Sequence, residues 1–195
     1  MDPVPEDPDA FFTSYLPARF AGAADRLGVT SSVGSVTARV VGVGEWSMRL
    51  KDGELEVVRG TEDDVMLQIT ASLEDFMVLV KAPLEHLGTE GRIPAVRAGP
   101  LRALAANAET ARLVRHVPGS VMFVARDGDA AHRLLLTPGR RAADLAHAEC
   151  TIDCKLDDLK AAQAGGMTPM QLFVSGKLRI TGNVQIAMAL AGILT

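Results

Sequence analysis

The side chains best suited to chemistry, the histidines and cysteines, are few and scattered in this sequence. Four histidines lie far apart: His86, His116, His132 and His147. None belongs to a His-Glu-x-x-His arrangement or has a cysteine at metal-ligand spacing. Cys150 and Cys154 alternate with polar residues as on a β-strand, where positions four apart are separated by about 13 Å, too far for a disulfide. We therefore expect two reduced thiols packed in a core and no metal site.

Glycine-rich and serine motifs give no support for catalysis either. Gly176-Lys177 is similar to the end of a phosphate-binding loop, but Gln171 replaces its first glycine and Leu178 follows the lysine. Gly42-Val43-Gly44 joins two strands, which does not fit a dinucleotide fingerprint. Because no serine lies in a Gly-x-Ser-x-Gly motif, a nucleophile elbow is also missing. The sequence predicts a protein without enzyme activity and without a cofactor.

Composition and charge narrow the class of protein. The chain has 195 residues, of which 48% are hydrophobic but only 4% aromatic, so the core should be aliphatic. The first nine residues do not fit a secretory signal, which favours a cytoplasmic location. Nine arginines between residues 92 and 141 face only three acids, Glu109, Asp127 and Asp129. This basic middle favours transient contact with anionic lipid headgroups or an acidic partner, or it is a set of solvated arginines, and no motif indicates nucleic-acid binding.

The hydrophobic periodicity indicates an α+β fold. Asp7 followed by Pro8 predicts the start of a helix. From Gly34 the period changes to two, and the Asp52-Gly53 pair predicts a tight turn between two strands. A further strand over residues 65–69 leads to Ser72, which should cap the next helix. We expect an antiparallel or mixed sheet built as a meander, with helices packed on one face around an apolar cavity.

The second half of the sequence repeats the order of the first. Gly119-Ser120-Val121 matches Gly34-Ser35-Val36, and the strand-like stretch 150–155 leads into an acidic helix start as residues 65–70 do. We interpret this as an internal duplication with halves 1–99 and 100–195, either separate or joined in one two-lobed domain. The alternative is that an α+β protein uses the same turn signals twice.

The C-terminal segment has the most unusual pattern. Val184 to Leu194 carries one polar side chain, Gln185, so a helix here is apolar nearly all round. Eleven residues reach about half the ~20 needed to cross a bilayer. Such a helix must be surrounded by protein, lie against an apolar space or dock on a partner.

The residues before and within this helix resemble the C-terminal signature of the sterol carrier protein type 2 family. The resemblance runs from Met170 to Asn183 and includes Phe173, Gly176-Lys177 and Gly182, followed by Ala187 to Leu190. It implies an α+β domain that encloses a tunnel for a fatty acyl chain, sterol or other lipid, and it implies no catalytic residues.

We therefore predict a soluble lipid-binding protein with an internal apolar cavity. The candidate lining residues are Trp46, Met48, Phe76, Met170, Phe173, Val174, Ile186, Met188 and Leu190. For each of them, plain core packing is the alternative. The alternative function is a ligand-free interaction module, for which a homodimer is one form. An enzyme acting on an acyl or steroid substrate has no support in the residues.

Overall fold

The computed structural model describes residues 4–20, 29–81, 103–163 and 166–194. The strands are β1 (Ser35–Val40), β2 (Gly44–Lys51), β3 (Glu54–Arg59), β4 (Val65–Ala71), β5 (Val121–Asp127), β6 (Ala130–Pro138), β7 (Cys150–Lys155) and β8 (Leu178–Gly182). Helix α1 runs through Pro8–Ala10, the π-helical Phe11–Tyr15 and Leu16–Phe20, and α2 through Leu73–Phe76 and the π-helical Met77–Lys81. The others are α3 (Ala108–Arg115), α4 (Leu156–Gln163), α5 (Pro169–Val174) and α6 (Val184–Leu194).

All eight strands belong to one mixed sheet in the order β3-β2-β1-β4-β6-β5-β7-β8. The β1–β4 and β5–β7 pairs are parallel, and the other five pairs are antiparallel. The two halves of the chain meet where β4 pairs with β6. The α+β fold with a mixed sheet is thus confirmed. The predicted meander is wrong, because β4 pairs with β1 and not with β3, and β7 pairs with β5 and not with β6.

Local signals begin and end the elements as the sequence predicts. Asp7 Oδ2 accepts from the Ala10 N–H at 2.9 Å, and Ser72 Oγ accepts from the Asp75 N–H at 3.1 Å. Both are N-caps that satisfy backbone donors left free at a helix start. The turn between β2 and β3 has positive φ at Asp52 (52°) and Gly53 (85°), as a two-residue hairpin turn requires.

The larger core lies on one face of the sheet, where apolar side chains of the strands alternate inward with helices above them, including Leu55 of β3 and the half-buried Ile180 of β8. Its helical members include Phe11 and Phe12 of α1, Phe76 of α2, and Ile186 of α6. Cys150 belongs to the same cluster, and Cys154 is also buried; neither forms a disulfide. The prediction of two buried free thiols is confirmed.

The opposite face is polar over the first half of the sheet and apolar over the second. Thr37 and Ser47 form a buried hydrogen bond of 2.8 Å, and Gln68 Nε2 donates to the carbonyls of Gly139 (2.7 Å) and Arg141 (2.8 Å). A smaller apolar cluster of Met122, Val124 and Leu135 packs under residues 143–148. The segment after β6 therefore covers the face that the helices leave open.

Two strand triplets in the sheet have the same order and directions. In β2-β1-β4 an antiparallel hairpin is followed by a parallel strand, and β6-β5-β7 has the same arrangement. The internal duplication, the boundary near residue 100 and the enclosed cavity remain predictions.

Candidate functional site

The signature segment folds as a helix, a strand and a second helix, each with local reasons for its ends. Thr168 and Gln171 form a capping box in which each side chain accepts from the other's backbone N–H, at 3.2 and 2.7 Å. Gly176 and Gly182 take positive φ values of 73° and 85°, which allow the chain to turn before and after β8. Asn183 Oδ1 then accepts from the Gln185 N–H at 3.1 Å and starts α6.

Helix α5 presents an apolar face to solvent. Met170, Phe173 and Val174 have the spacing of one helical face, and they are 68%, 49% and 79% exposed. Leu172, on the other side of the helix, is buried. Lys177 Nζ forms an ion pair with Asp158 Oδ1 at 2.7 Å, which links the end of α5 to α4. The helix is thus attached to the domain while three apolar side chains remain uncovered by the described residues.

Helix α6 buries one side and exposes another. Ile186, Ala187 and Leu190 are in the core, whereas Val184 and Met188 are 42% and 68% exposed. The core side approaches the sheet closely at Gly119, where an added Cβ would lie 2.6 Å from Ile186 Cδ1. The apolar residues of α6 therefore lie in two environments: one side of the helix is packed in the core and the other is on the surface.

Two of the three candidates from the first half, Trp46 and Phe76, belong to an aromatic cluster under α1, and Met48 is in the same core. The Trp46 ring stacks on Phe12 at a centroid distance of 4.8 Å, and Phe76 meets the rings of Phe11 and Phe12 at 5.3 Å each. Trp46 Nε1 donates to Asp9 Oδ1 at 2.8 Å. Sequence reasoning did not include Phe11 or Phe12 among the candidates, although two adjacent phenylalanines in an aromatic-poor chain are a usable signal.

The nine candidates therefore do not all lie together. Trp46 is on β2, and α6 packs on β7, five strand spacings away, or about 24 Å at ~4.8 Å per spacing. Trp46, Met48, Phe76, Ile186 and Leu190 are buried, whereas Met170, Phe173, Val174 and Met188 are exposed. A small ligand bound beside α5 and α6 would not touch the Trp46 cluster.

The titratable groups are in ordinary structural roles. Burial raises the pKa of Cys154 to about 11, with Asp153 and Asp158 nearby adding to the effect, so the thiol is neutral at physiological pH. Because the thiolate is the nucleophile and the metal ligand, this environment disfavours both activities. His132 Nδ1 lies 3.2 Å from Asp75 Oδ1, and His86 is outside the described residues. Within the described ranges, no three His, Cys, Asp or Glu side chains are placed to hold a metal ion.

Three of the arginines in the basic middle have partners within the described residues. Arg126 binds Asp153 at 2.5 Å and Arg140 binds Asp63 at 2.5 Å. Arg115 donates to the carbonyl of Asp64 at 3.0 Å. No helix in the described part of the chain has the length and hydropathy needed to cross a bilayer.

Part of the chain is similar to a known protein family. Residues 102–195 match the model of the SCP-2 sterol transfer family. The resemblance inferred from the signature is thereby confirmed. The SCP-2 match covers every element from α3 to α6, so the exposed faces of α5 and α6 are inside it and the Trp46 cluster is outside it. No curated protein matches the chain at a significant level.

Three solved structures are similar to parts of the chain. Sterol carrier protein 2-like 2 from Aedes aegypti is 17% identical over 43% of this chain and 87% of its own, with a TM-score of 0.32. Apo sterol carrier protein 2 from Yarrowia lipolytica is 20% identical over 52% and 85%, with a TM-score of 0.34. The sterol carrier protein domain 2 of Helicoverpa armigera is 22% identical over 45% and 73%, with a TM-score of 0.32.

Proposed function

We propose that this protein binds an apolar lipid, such as a fatty acyl chain or a sterol, without chemical change to it. The observation that carries the proposal is the set of exposed apolar side chains on α5 and α6 inside the part that matches the SCP-2 sterol transfer family. A lipid tail would remove Met170, Phe173, Val174 and Met188 from water. The buried side of α6 belongs to the helix-covered face, where an internal cavity would complete the site.

Burial of these side chains is sufficient for useful affinity. Full burial of one such side chain is worth roughly 1.5–3 kcal/mol, and about two thirds of each is still exposed on average. Four of them therefore contribute roughly 4–8 kcal/mol before the entropic cost of association, and the lipid's own buried surface adds to this. No directional contact is needed, which agrees with a site that accepts several lipids.

The exposed arginines of the basic middle suggest how the protein would approach a membrane to load lipid. Arg112, Arg133 and Arg141 are exposed. We further propose that the protein is cytoplasmic and that these exposed arginines make transient contact with anionic membrane surfaces.

The second candidate function is an interaction module in which the same face of α5 docks on another copy of the chain. The outward projection of Met170 and Val174 favours it, because exposed apolar patches also mark protein interfaces. Native mass spectrometry of the purified full chain separates the two functions. A co-purifying lipid on a monomer supports lipid binding, and a lipid-free dimer supports the module.

A variant pair tests the site directly. Phe173→Asp should abolish displacement of a fluorescent fatty acid, because it places a charge in the proposed lipid contact. Val58→Asp is the control, since Val58 is 44% exposed on β3 at the other edge of the sheet. If both variants bind alike while remaining folded, α5 is not part of the lipid site.

The single tryptophan shows whether the ligand reaches the first half. A dibrominated stearic acid quenches tryptophan only near contact, so binding at α5 and α6 should leave Trp46 emission unchanged. Strong quenching at saturation would instead place the lipid in the aromatic cluster with Trp46, Met48 and Phe76.

A further inference from the structure

The face of the sheet opposite the helices contains a cleft of about 560 Å³. One wall is the turn between β1 and β2, where Val41 and Val43 are half and about one third exposed. The other wall is the segment after β6, which contributes Ala143 and Leu145. The volume is in the range of sites for small organic molecules. This cleft is separate from the proposed lipid site, which is on the helix-covered face.

Thr70 of β4 lines this cleft and has an unpaired hydroxyl. Within the described ranges, Thr70 Oγ1 and Thr137 Oγ1 are buried and have no hydrogen-bond partner. Thr137 does not line the cleft. Buried hydroxyls normally have a partner, so an unpaired one is a place where a fitting group is bound with net gain. Thr70 is 2% exposed, and a 120° rotation about χ1 would move its hydroxyl to the position that its methyl group now occupies, which gives the hydroxyl a second direction in which to meet a molecule in the cleft.

The charges that line the cleft already have partners. Arg39 Nη2 lies 2.5 Å from Glu45 Oε1, and Glu45 Oε2 also accepts from Thr61 Oγ1 at 2.5 Å. Asp144 Oδ2 lies 2.8 Å from His147 Nδ1. Because these charges are already balanced by their partners, the cleft has little net attraction for an ionic ligand and favours a neutral molecule.

We propose that this cleft binds a small neutral molecule with an apolar body and one hydroxyl or carbonyl oxygen, which forms a hydrogen bond with Thr70 Oγ1. The valine, alanine and leucine side chains of the two walls would contact the apolar body. The binding is independent of the lipid site and does not rest on it.

The test uses two probes of the same shape, benzyl alcohol and ethylbenzene, which differ by one hydroxyl in place of a methyl group. Amide shifts in NMR spectra of the full chain at residues 41–44 and 143–145 give both dissociation constants. The ratio of the two constants is compared between the natural protein and each variant, because the difference in hydrophobicity between the probes is the same for every protein and cancels. Thr70→Val should raise the dissociation constant of benzyl alcohol relative to that of ethylbenzene by about three- to tenfold, as expected for the loss of one hydrogen bond.

Thr137→Val is the matched control. It removes the other unpaired buried hydroxyl and should leave the ratio unchanged. Both variants should unfold at the same temperature as the natural protein or higher, because valine has the shape of threonine without the unpaired group. The proposal is overturned if neither probe shifts the cleft amides, if Thr70→Val leaves the ratio unchanged, or if Thr137→Val changes it equally. Marked destabilisation by Thr70→Val alone would also refute it, because the hydroxyl would then have a partner within the protein.

Discussion

Met188 and Leu190 are two positions apart on α6, and their substitution by alanine separates ligand contact from core packing. Met188 is 68% exposed and Leu190 is 2% exposed. A fully buried methionine side chain is worth about 2 kcal/mol, so a lipid that covers the exposed two thirds gains about 1.4 kcal/mol. Met188→Ala should therefore weaken lipid binding about tenfold. The buried third of Met188 contributes only ~0.6 kcal/mol to folding, and the higher helix propensity of alanine offsets part of that loss.

Leu190→Ala should show the opposite balance. Removal of a fully buried leucine side chain costs about 2–5 kcal/mol of unfolding free energy, because it also leaves a cavity. Urea denaturation measures stability, and displacement of a fluorescent fatty acid measures affinity. Lipid contact by Met188 is refuted if Met188→Ala binds lipid within twofold of the natural protein, or if it is destabilised as much as Leu190→Ala.

Three further predictions concern stability and reactivity. Gly182→Ala should lower the free energy of unfolding by about 2 kcal/mol or more, since the added Cβ would lie 2.3 Å from the Glu149 carbonyl oxygen. Gly176→Ala should lower it by about 1 kcal/mol, because the added Cβ meets only the strain of positive φ. Thermal unfolding compares the two variants. The pKa of Glu149 is lowered mainly by the hydrogen bond from the Ser120 backbone N–H. The ionised carboxylate therefore stabilises the folded protein above the ordinary pKa of 4.5, and this stabilisation is lost as the pH falls through the pKa of the folded state. Glu149→Gln should lower the urea midpoint at pH 7 but not in strong acid. Cys154, with a pKa of about 11, should resist iodoacetamide at pH 8 in the folded protein and react in urea, and equal rates would contradict its burial.

Strands, turns and caps were predictable because their signals are local. Ser72, Asp52-Gly53 and the alternation around Cys150 each depend on a few neighbouring residues, and the structure confirms them. The buried polar face was not predictable in this way. The buried Gln68 side chain is satisfied by hydrogen bonds to backbone carbonyls 71 and 73 residues away, and such distant partners produce no periodic pattern in the sequence.

The candidate site was harder to predict for a different reason. Hydrophobic periodicity identifies the buried side of a helix by contrast with a polar side, and α6 has almost none. Ile186 and Met188 are equivalent by that criterion, although one is in the core and the other is on the surface. The distance between the Trp46 cluster and α6 depends on strand order, which follows from the β4–β6 pairing across the two halves.

The two strand triplets show how similar backbones can have different environments. Gly34 precedes β1 and Gly119 precedes β5, and a Cβ at either position would be closer than 3 Å to another residue. The crowding neighbour of Gly34 is the Arg115 guanidinium of α3, whereas that of Gly119 is the Ile186 side chain of α6. If the halves arose by duplication, both have kept a glycine that another residue approaches closely. The approaching group is a polar side chain at Gly34 in the first half and an apolar helix at Gly119 in the second. A lipid site on the helix-covered face would then be expected beside Gly119, where α6 packs on the sheet.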